Sequence, residues 1–414
     1  MGRIAPPGKS SPKTWSRAVE AASLASSDWH LAAAAKNFDD RLHPAQQMRL
    51  AREVATTRAA DLTLAYKNVI MVAIGHKKRS NTLGRERLVR VPCVVLVVRK
   101  KWSKDKDAQA GAQLIPKRLL SYADVDGERL LCAVPTDVQP EDRFSGVTPH
   151  SARAVFVDDG IVKPEFGTVT CAVEVTAGSK KKRHVLSARH VFNPVPEIAG
   201  LSITASVPLA PLLSVASPPG APVIGRSEAI GGALRDHPDP SFDVQLAQID
   251  DASWPVVRLM LAEMPLSVTE PFVASAERFD DLVASRRFEI LVPDNQPNAG
   301  MKPRATYSAA WETTLGNAFA FDYPVRVHGI RKFCSVSHWE LLKLSVANQR
   351  VPLAGDSGSP VVMWNDDGTC TLVGMHIAGA GGEPVSYAIP SWQLFNVDNY
   401  ELMSSSAKIR PISP

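Results

Sequence analysis

Gly355-Asp356-Ser357-Gly358-Ser359-Pro360, running into Val361-Val362-Met363-Trp364, is the stretch on which the reading of this 414-residue chain turns. A serine hydroxyl is a weak nucleophile on its own. It needs a base beside it and a place where the charge of an oxyanion is met. Glycines on both sides of the serine let the chain turn tightly, so that backbone N–H groups converge near the serine oxygen. In such a turn the amides of Gly355 and Ser357 are the candidate oxyanion donors. A bare Gly-Asp-Ser-Gly string also occurs in ordinary turns. The full string is more specific, because an apolar strand follows it and Gly374 then sits on a second one, Val373-Gly374-Met375-His376-Ile377-Ala378-Gly379.

Working outward, a base and an acid are required. Of the ten histidines, His190 ends the run His184-Val185-Leu186-Ser187-Ala188-Arg189-His190. This reads as a strand entering a small-residue turn, and a strand end is a rigid place from which to aim an imidazole. His184 reads as a solvent-facing strand residue. His30, His43, His76 and His150 read as surface residues. For the acid, Ser241-Phe242-Asp243-Val244-Gln245-Leu246-Ala247 puts Asp243 at the start of an apolar strand, where a carboxylate is costly without a partner. Its role would be to fix the imidazole tautomer and stabilise the imidazolium. Asp236, Asp239, Asp250 and Asp251 read as exposed turn carboxylates.

With these residues in place, the order His190, Asp243, Ser357 in LSARHVF, FDVQLA and GDSGSP resembles the chymotrypsin-type (trypsin-like) serine peptidases over residues 166–395. The resemblance implies a mainly β protein with two six-stranded antiparallel β-barrels and a site in the cleft between them. His190 and Asp243 would belong to the first barrel and Ser357 to the second. It implies an endopeptidase that needs no metal and no organic cofactor. The strings NVIMVAIGHKK, VVLVVRKKW, LIPKRLL and AVPTDVQP more loosely resemble the unit that precedes the protease domain in a group of bacterial trypsin-like peptidases.

The chain departs from the family pattern in three places. Val191 stands where a cysteine commonly follows the histidine. No activation-type start precedes the first barrel, so Asp356 lacks the N-terminal ammonium it meets in the digestive enzymes. That leaves another cation as its partner, or a latent enzyme. Val351 stands where a trypsin has its acid, so cleavage after Arg or Lys is not expected. His376 resembles the histidine of glutamyl endopeptidases and picornavirus 3C-type proteases, which helps recognise Glu or Gln before the cut. An imidazole donor prefers an acceptor side chain. With Val351, Ala378 and Gly379 it makes the candidate substrate-binding set; the alternative is a strand histidine satisfied by its neighbours.

The rest of the chain sets the frame. The hydrophobic fraction is 45% and the charged fraction 21%, values of an ordinary globular protein rather than a disordered or fibrous one. The longest apolar runs, Val91–Val98 and Val69–Ile74, are of strand length, too short for a membrane span. The N-terminus lacks the apolar core of a secretory signal, so a cytoplasmic protein without a membrane partner is expected. The five cysteines are widely spaced with no CxxC and read as buried thiols. A formal net charge of +5 does not call for nucleic acid, and Lys180–Arg183 reads as a solvated hairpin tip.

Residues 1–13 read as a flexible arm and 14–66 as a helical region, the latter including a helix opened by Pro44 with Met48, Ala51, Val54 and Ala55 on one face. Residues 67–140 read as a small β-rich or α/β domain, 141–163 as a linker, 164–400 as the protease domain and 401–414 as a C-terminal tail. Residues 14–66 either serve as a docking module or pack on the next domain, and residues 14–140 as a whole are the candidate region for a regulatory protein partner. Two functional expectations follow. One is a peptidase acting on restricted protein substrates; the other is a latent or inactive protease-fold adaptor that binds a partner.

Overall fold

The structure is a computed structural model. It describes residues 28–66, 68–80, 86–99, 115–140, 155–158, 165–189, 202–205, 223–232, 240–249, 251–262, 264–283, 287–293, 304–315, 320–327, 330–338, 340–349, 351–352, 356–379, 382–401 and 403–413. Residues 1–13, and residues 14–27 of the expected helical region, lie outside them. The chain divides into two compact units, Met1–Glu141 with Thr313–Leu315, and Asp142–Glu312 with Gly316–Pro414.

The first unit is a sheet with helices against it. Helix α1 spans Asp28–Lys36 and α2 spans Pro44–Ala65. His43 opens α2: its ring accepts from the Ala45 amide while the Gln46 side chain returns to the His43 amide at 2.9 Å, and Pro44 supplies the first-turn φ. The buried face of α2 is Met48, Leu50, Ala51, Val54, Ala55 and Leu62. The strands are β1 (Val69–Ser80), β2 (Glu86–Val98), β3 (Arg118–Val125) and β4 (Glu128–Pro140), ordered β1-β2-β4-β3. In β2 every residue from Cys93 to Val98 is buried. A central strand covered on both faces reads as a continuous apolar run rather than an alternating one. The helical segment is tied to the strands by Asn37 donating to the Leu131 carbonyl at 2.8 Å, with ion pairs Arg41–Glu128 at 2.7 Å and Arg118–Asp39 at 2.8 Å.

The second unit is built of strands β5 (Val155–Asp158), β6 (Glu165–Gly167), β7 (Cys171–Ala177), β8 (Lys180–Ser187), β9 (Ser202–Ala205), β10 (Val223–Gly231), β11 (Pro240–Ser241) and β12 (Gln245–Ile249). Helices α3 (Trp254–Leu261) and α4 (Ala276–Val283) follow. Then come β13 (Phe288–Pro293), β14 (Arg304–Leu315, of which Thr313–Leu315 fall in the first unit), β15 (Ala320–Val327), β16 (Ile330–His338), β17 (Leu341–Val346), β18 (Pro360–Trp364), β19 (Cys370–Gly379) and β20 (Val385–Pro390). The short helix α5 (Ser391–Leu394) and strand β21 (Lys408–Ile412) end it.

Strands β13-β18-β19-β20-β17-β14 form a ring that closes where β13 pairs β14, with Phe288 opposite Ala309 and Pro293 opposite Arg304. This is a closed six-stranded antiparallel barrel. Every residue of β19 is buried, as a barrel strand packed on both sides requires. Helix α4 packs by its buried face, with Phe279 against Phe288, Trp311 and Trp392 at ring separations of 5.4–5.8 Å.

In the other half of the unit the expected second six-stranded barrel is not clearly shown among the described residues. That half is an eight-stranded sheet, β21-β7-β8-β12-β10-β9-β5-β6, and no pairing among the described residues closes it into a ring. Its extra outer strand comes from the segment after residue 400: β21 runs antiparallel along β7, with Ile409 opposite Val175. Lys180–Arg183 opens β8 just past the Gly178–Ser179 turn and is exposed along its length. Among the described residues no helix is long and apolar enough to cross a membrane. Cys93, Cys132, Cys171 and Cys370 are buried and outside any disulfide.

Candidate active site

The serine turn occupies residues 356–359, immediately before β18. Ser357 is buried, at 4% exposure. Gly358 takes φ +88°, a conformation that favours glycine. A β-carbon there would also lie 1.8 Å from the Thr168 carbonyl oxygen and 2.4 Å from Ser187 Oγ. Glycine is therefore required on two independent grounds.

The close approach exists because residues 168–170 bridge two parts of the unit. On one side the Thr168 amide donates to the Ser357 carbonyl at 2.8 Å, and Thr170 Oγ1 donates to the Gly358 carbonyl at 2.7 Å. On the other, Ser187 Oγ donates to the Thr168 carbonyl at 2.6 Å, and the Thr170 amide donates to the Leu186 carbonyl at 2.8 Å. The serine turn and the end of β8 thus share one short bridge. A second set of bonds ties the turn to β19: Gly358 N–H to the His376 carbonyl and His376 N–H to the Ser359 carbonyl, each 2.8 Å. The Ser357 hydroxyl donates to the Ile377 carbonyl at 3.3 Å. Asp356 is buried and engaged.

His190 and Gly355 lie outside the described residues. The chain up to Arg189 is described, and it leaves the end of β8 beside the bridge. Asp243 is fully buried. Strands β8 and β12 are antiparallel, with Ser187 opposite Gln245 and Leu186 opposite Leu246. Stepping past Ser187 on β8 and back from Gln245 on the partner leads to the same end of the pair, so Asp243 borders the segment that carries Arg189. The backbone around Asp243 is fixed by the Gly232 amide donating to the Val244 carbonyl at 2.7 Å. Gly232 permits this: a β-carbon on it would meet the Phe242 carbonyl oxygen at 1.8 Å.

The candidate substrate-binding residues lie on β19 and ahead of the turn. His376 is buried, and its Nδ1 is 2.7 Å from Ser386 Oγ on the neighbouring β20. Ala378 is opposite Tyr387 and Gly379 opposite Ser386. Val351 is half-buried, and the adjacent Pro352 ring packs where a β-carbon on Gly379 would stand, 3.0 Å away. Among the described residues no group of three or more His, Cys, Asp or Glu could hold a metal ion.

Two histidine expectations are corrected. His184 is buried at 1% rather than solvent-facing, because β8 passes from exposed to covered at that residue, between Val173 of β7 and Gln248 of β12. His76 is buried at 6% within β1 rather than on the surface. His30 is exposed and His43 caps α2, whereas His150 is outside the described residues. Asp251 is exposed and pairs with Arg183, as a turn carboxylate does. The sequence reading missed Thr168, Thr170 and Ser386. In the bridge Thr168 acts through its backbone and Thr170 through its hydroxyl and amide, so the residue-type signal was a hydroxyl residue directly ahead of an apolar strand.

No protein-family model matches the chain, and no curated protein matches it. Among solved structures it is similar to the serine endoprotease from Yersinia pestis, at 13% identity and a TM-score of 0.23, over 54% of this chain and 59% of that one. The chain therefore spans less than two-thirds of that protein's length. It is also similar to the NS6 protease from murine norovirus 1, at 13% identity and a TM-score of 0.24, over 52% of this chain and 88% of that one. Overlap at this level names neighbours without deciding the fold, which rests on the chain's own strand order.

Proposed function

We propose that the chain is a serine endopeptidase of the chymotrypsin-like type, with Ser357 as nucleophile, His190 as general base and acid, and Asp243 as the carboxylate that orients the imidazole. The observation that carries this reading is the Thr168–Thr170 bridge, which hydrogen-bonds the Ser357 turn on one side and the end of β8, three residues short of His190, on the other. His190 takes the Ser357 proton as Oγ attacks a peptide carbonyl, then delivers it to the leaving amine. The N–H groups of Gly355 and Ser357 meet the charge on the tetrahedral oxyanion. A buried Asp243 suits an imidazolium that forms only transiently, because an ion pair is strongest where water is excluded.

His376 supports a preference for Glu or Gln before the cut, on restricted protein substrates. His376 Nδ1 is 2.7 Å from Ser386 Oγ; in the tautomer where Ser386 donates, the imidazole carries its hydrogen on Nε2 and offers a donor to an acceptor side chain. A regulatory role for residues 14–140 belongs to the same reading, and removing residues 1–140 should then change the rate of hydrolysis.

The test is labelling of the purified protein by a fluorophosphonate probe, beside Ser357→Ala and His190→Ala. Labelling of the wild type alone is expected, and labelling retained in Ser357→Ala would sink the assignment. One observation favours a second reading, a latent or peptide-binding form: Ser357 is 4% exposed and its hydroxyl is turned onto the Ile377 carbonyl. In that case no variant labels until a partner is added.

A further inference from the structure

Arg189 directly precedes His190 in the chain, and its side chain is only 11% exposed. Its Nη1 donates to the Gly232 carbonyl and stands 3.9 Å from Glu401 Oε2. Both anchors are themselves held. The Glu401 amide donates to the Gly231 carbonyl at 2.8 Å, and the preceding Tyr400 lays its ring edge-on to Phe242 at 5.6 Å while its hydroxyl donates to the Leu394 carbonyl at 2.6 Å. The Gly232 amide bonds the Val244 carbonyl. Residues 231–232, 242–244 and 400–401 are thus tied to one another around the two anchors of the guanidinium.

We propose that Arg189 is a positioning residue: clamped by the Gly232 carbonyl and Glu401, its guanidinium is a positive partner of buried Asp243 and sets the field in which His190 exchanges its proton. The proposal rests on the triad reading above. A buried carboxylate needs compensation, and the strand register delivers Arg189 to the end of β12 where Asp243 lies. The charges acting on the guanidinium are Glu401, from the segment after α5, and Asp243, two residues ahead of β12. Burial pushes the guanidinium below the usual arginine range, and both carboxylates oppose that shift. Behind them lie Tyr400, whose phenol burial pushes well above the usual tyrosine range, and the buried Cys171. A cation beside Asp243 weakens the carboxylate's hold on an imidazolium, so His190 returns its proton more readily near neutral pH.

Two experiments test this on the full chain. The first is the pH dependence of kcat/KM for peptide hydrolysis. Arg189→Met should move the acid limb up by about 0.5–1 pH unit, because the imidazolium is then held more tightly. Glu401→Gln should move it down, since the guanidinium charge is no longer offset, and Arg189→Lys should restore most of the wild-type profile. A role in packing alone would lower the rate without shifting the limb in opposite directions, so parallel or absent shifts overturn the proposal. The second needs no activity: urea unfolding of Arg189→Met, Asp243→Asn and the double variant. Loss of Arg189 should matter about five-fold less to the unfolding constant once Asp243 is neutral; equal effects in both backgrounds overturn the proposal. Coupling without hydrolysis or probe labelling would leave the pairing standing and remove the peptidase reading.

Discussion

Replacing Gly358 by alanine should unfold or severely loosen the serine turn, and the size of the effect follows from two separable terms. The first is conformational: a side chain at positive φ is strained by about 1–2 kcal/mol. The second is steric. The new methyl would stand 1.8 Å from the Thr168 carbonyl oxygen, a backbone atom, so the 168–170 bridge must retreat by more than an ångström. That breaks the bonds Ser187 Oγ to Thr168 O and Thr168 N to Ser357 O, now 2.6 and 2.8 Å. At about 1–3 kcal/mol for each of the two broken bonds, the whole comes to roughly 3–8 kcal/mol. Gly368 supplies the control: it has φ +80° with nothing within 4 Å of its virtual β-carbon. Gly368→Ala should therefore show the conformational term alone, about 1–2 kcal/mol. Urea unfolding followed by tryptophan fluorescence gives both numbers. Equal destabilisation of the two variants would refute the argument, because only the bridge distinguishes them.

Thr170→Val removes the bond to the Gly358 carbonyl and should destabilise by about 1–2 kcal/mol while lowering probe labelling at Ser357; unchanged labelling would show that the bridge does not position the serine. Ser386→Ala should lower kcat/KM for substrates with Glu or Gln before the cut while leaving fluorophosphonate labelling intact, and a loss of labelling would make Ser386 part of the framework instead. Burial pushes the Tyr400 phenol well above the usual tyrosine range. The folded state keeps that proton longer than the unfolded chain, so this contribution to stability is full below about pH 10 and falls as pH rises further. Tyr400→Phe should lose about 1 kcal/mol with the Leu394 bond but decline less steeply above about pH 10; identical alkaline slopes in urea unfolding would count against the assignment.

The parts of the molecule legible in the sequence were those encoded locally. The Val-rich run ending at Val98 reads as a covered strand because every residue of Cys93–Val98 is apolar, and α2 reads from Pro44 and the spacing of its buried face. Gly-Asp-Ser-Gly-Ser-Pro reads as a tight turn because its glycines permit one. The bridge was not legible, since Thr168 and Gly358 are far apart in the chain and their contact depends on how two sheets meet. The burial of His184 depends on where β7 and β12 cover β8, which no period within β8 reveals. The eight-stranded order escaped the reading for the same reason: its outer strand is contributed by residues 408–412, whose alternating pattern is too short to announce a partner.

That outer strand also has a bearing on the order of events during synthesis. β7 is made early and β21 late, so while the chain is still being translated the edge of β7 is an unpaired row of N–H and C=O groups. Such an edge invites wrong partners, and neighbouring nascent chains on one messenger are the nearest candidates. Glu401 and its bond to Gly231 arrive in the same late interval. The sheet that carries Arg189 and Asp243 is thus completed only once residues 401–412 have left the ribosome, well after β7 has been made.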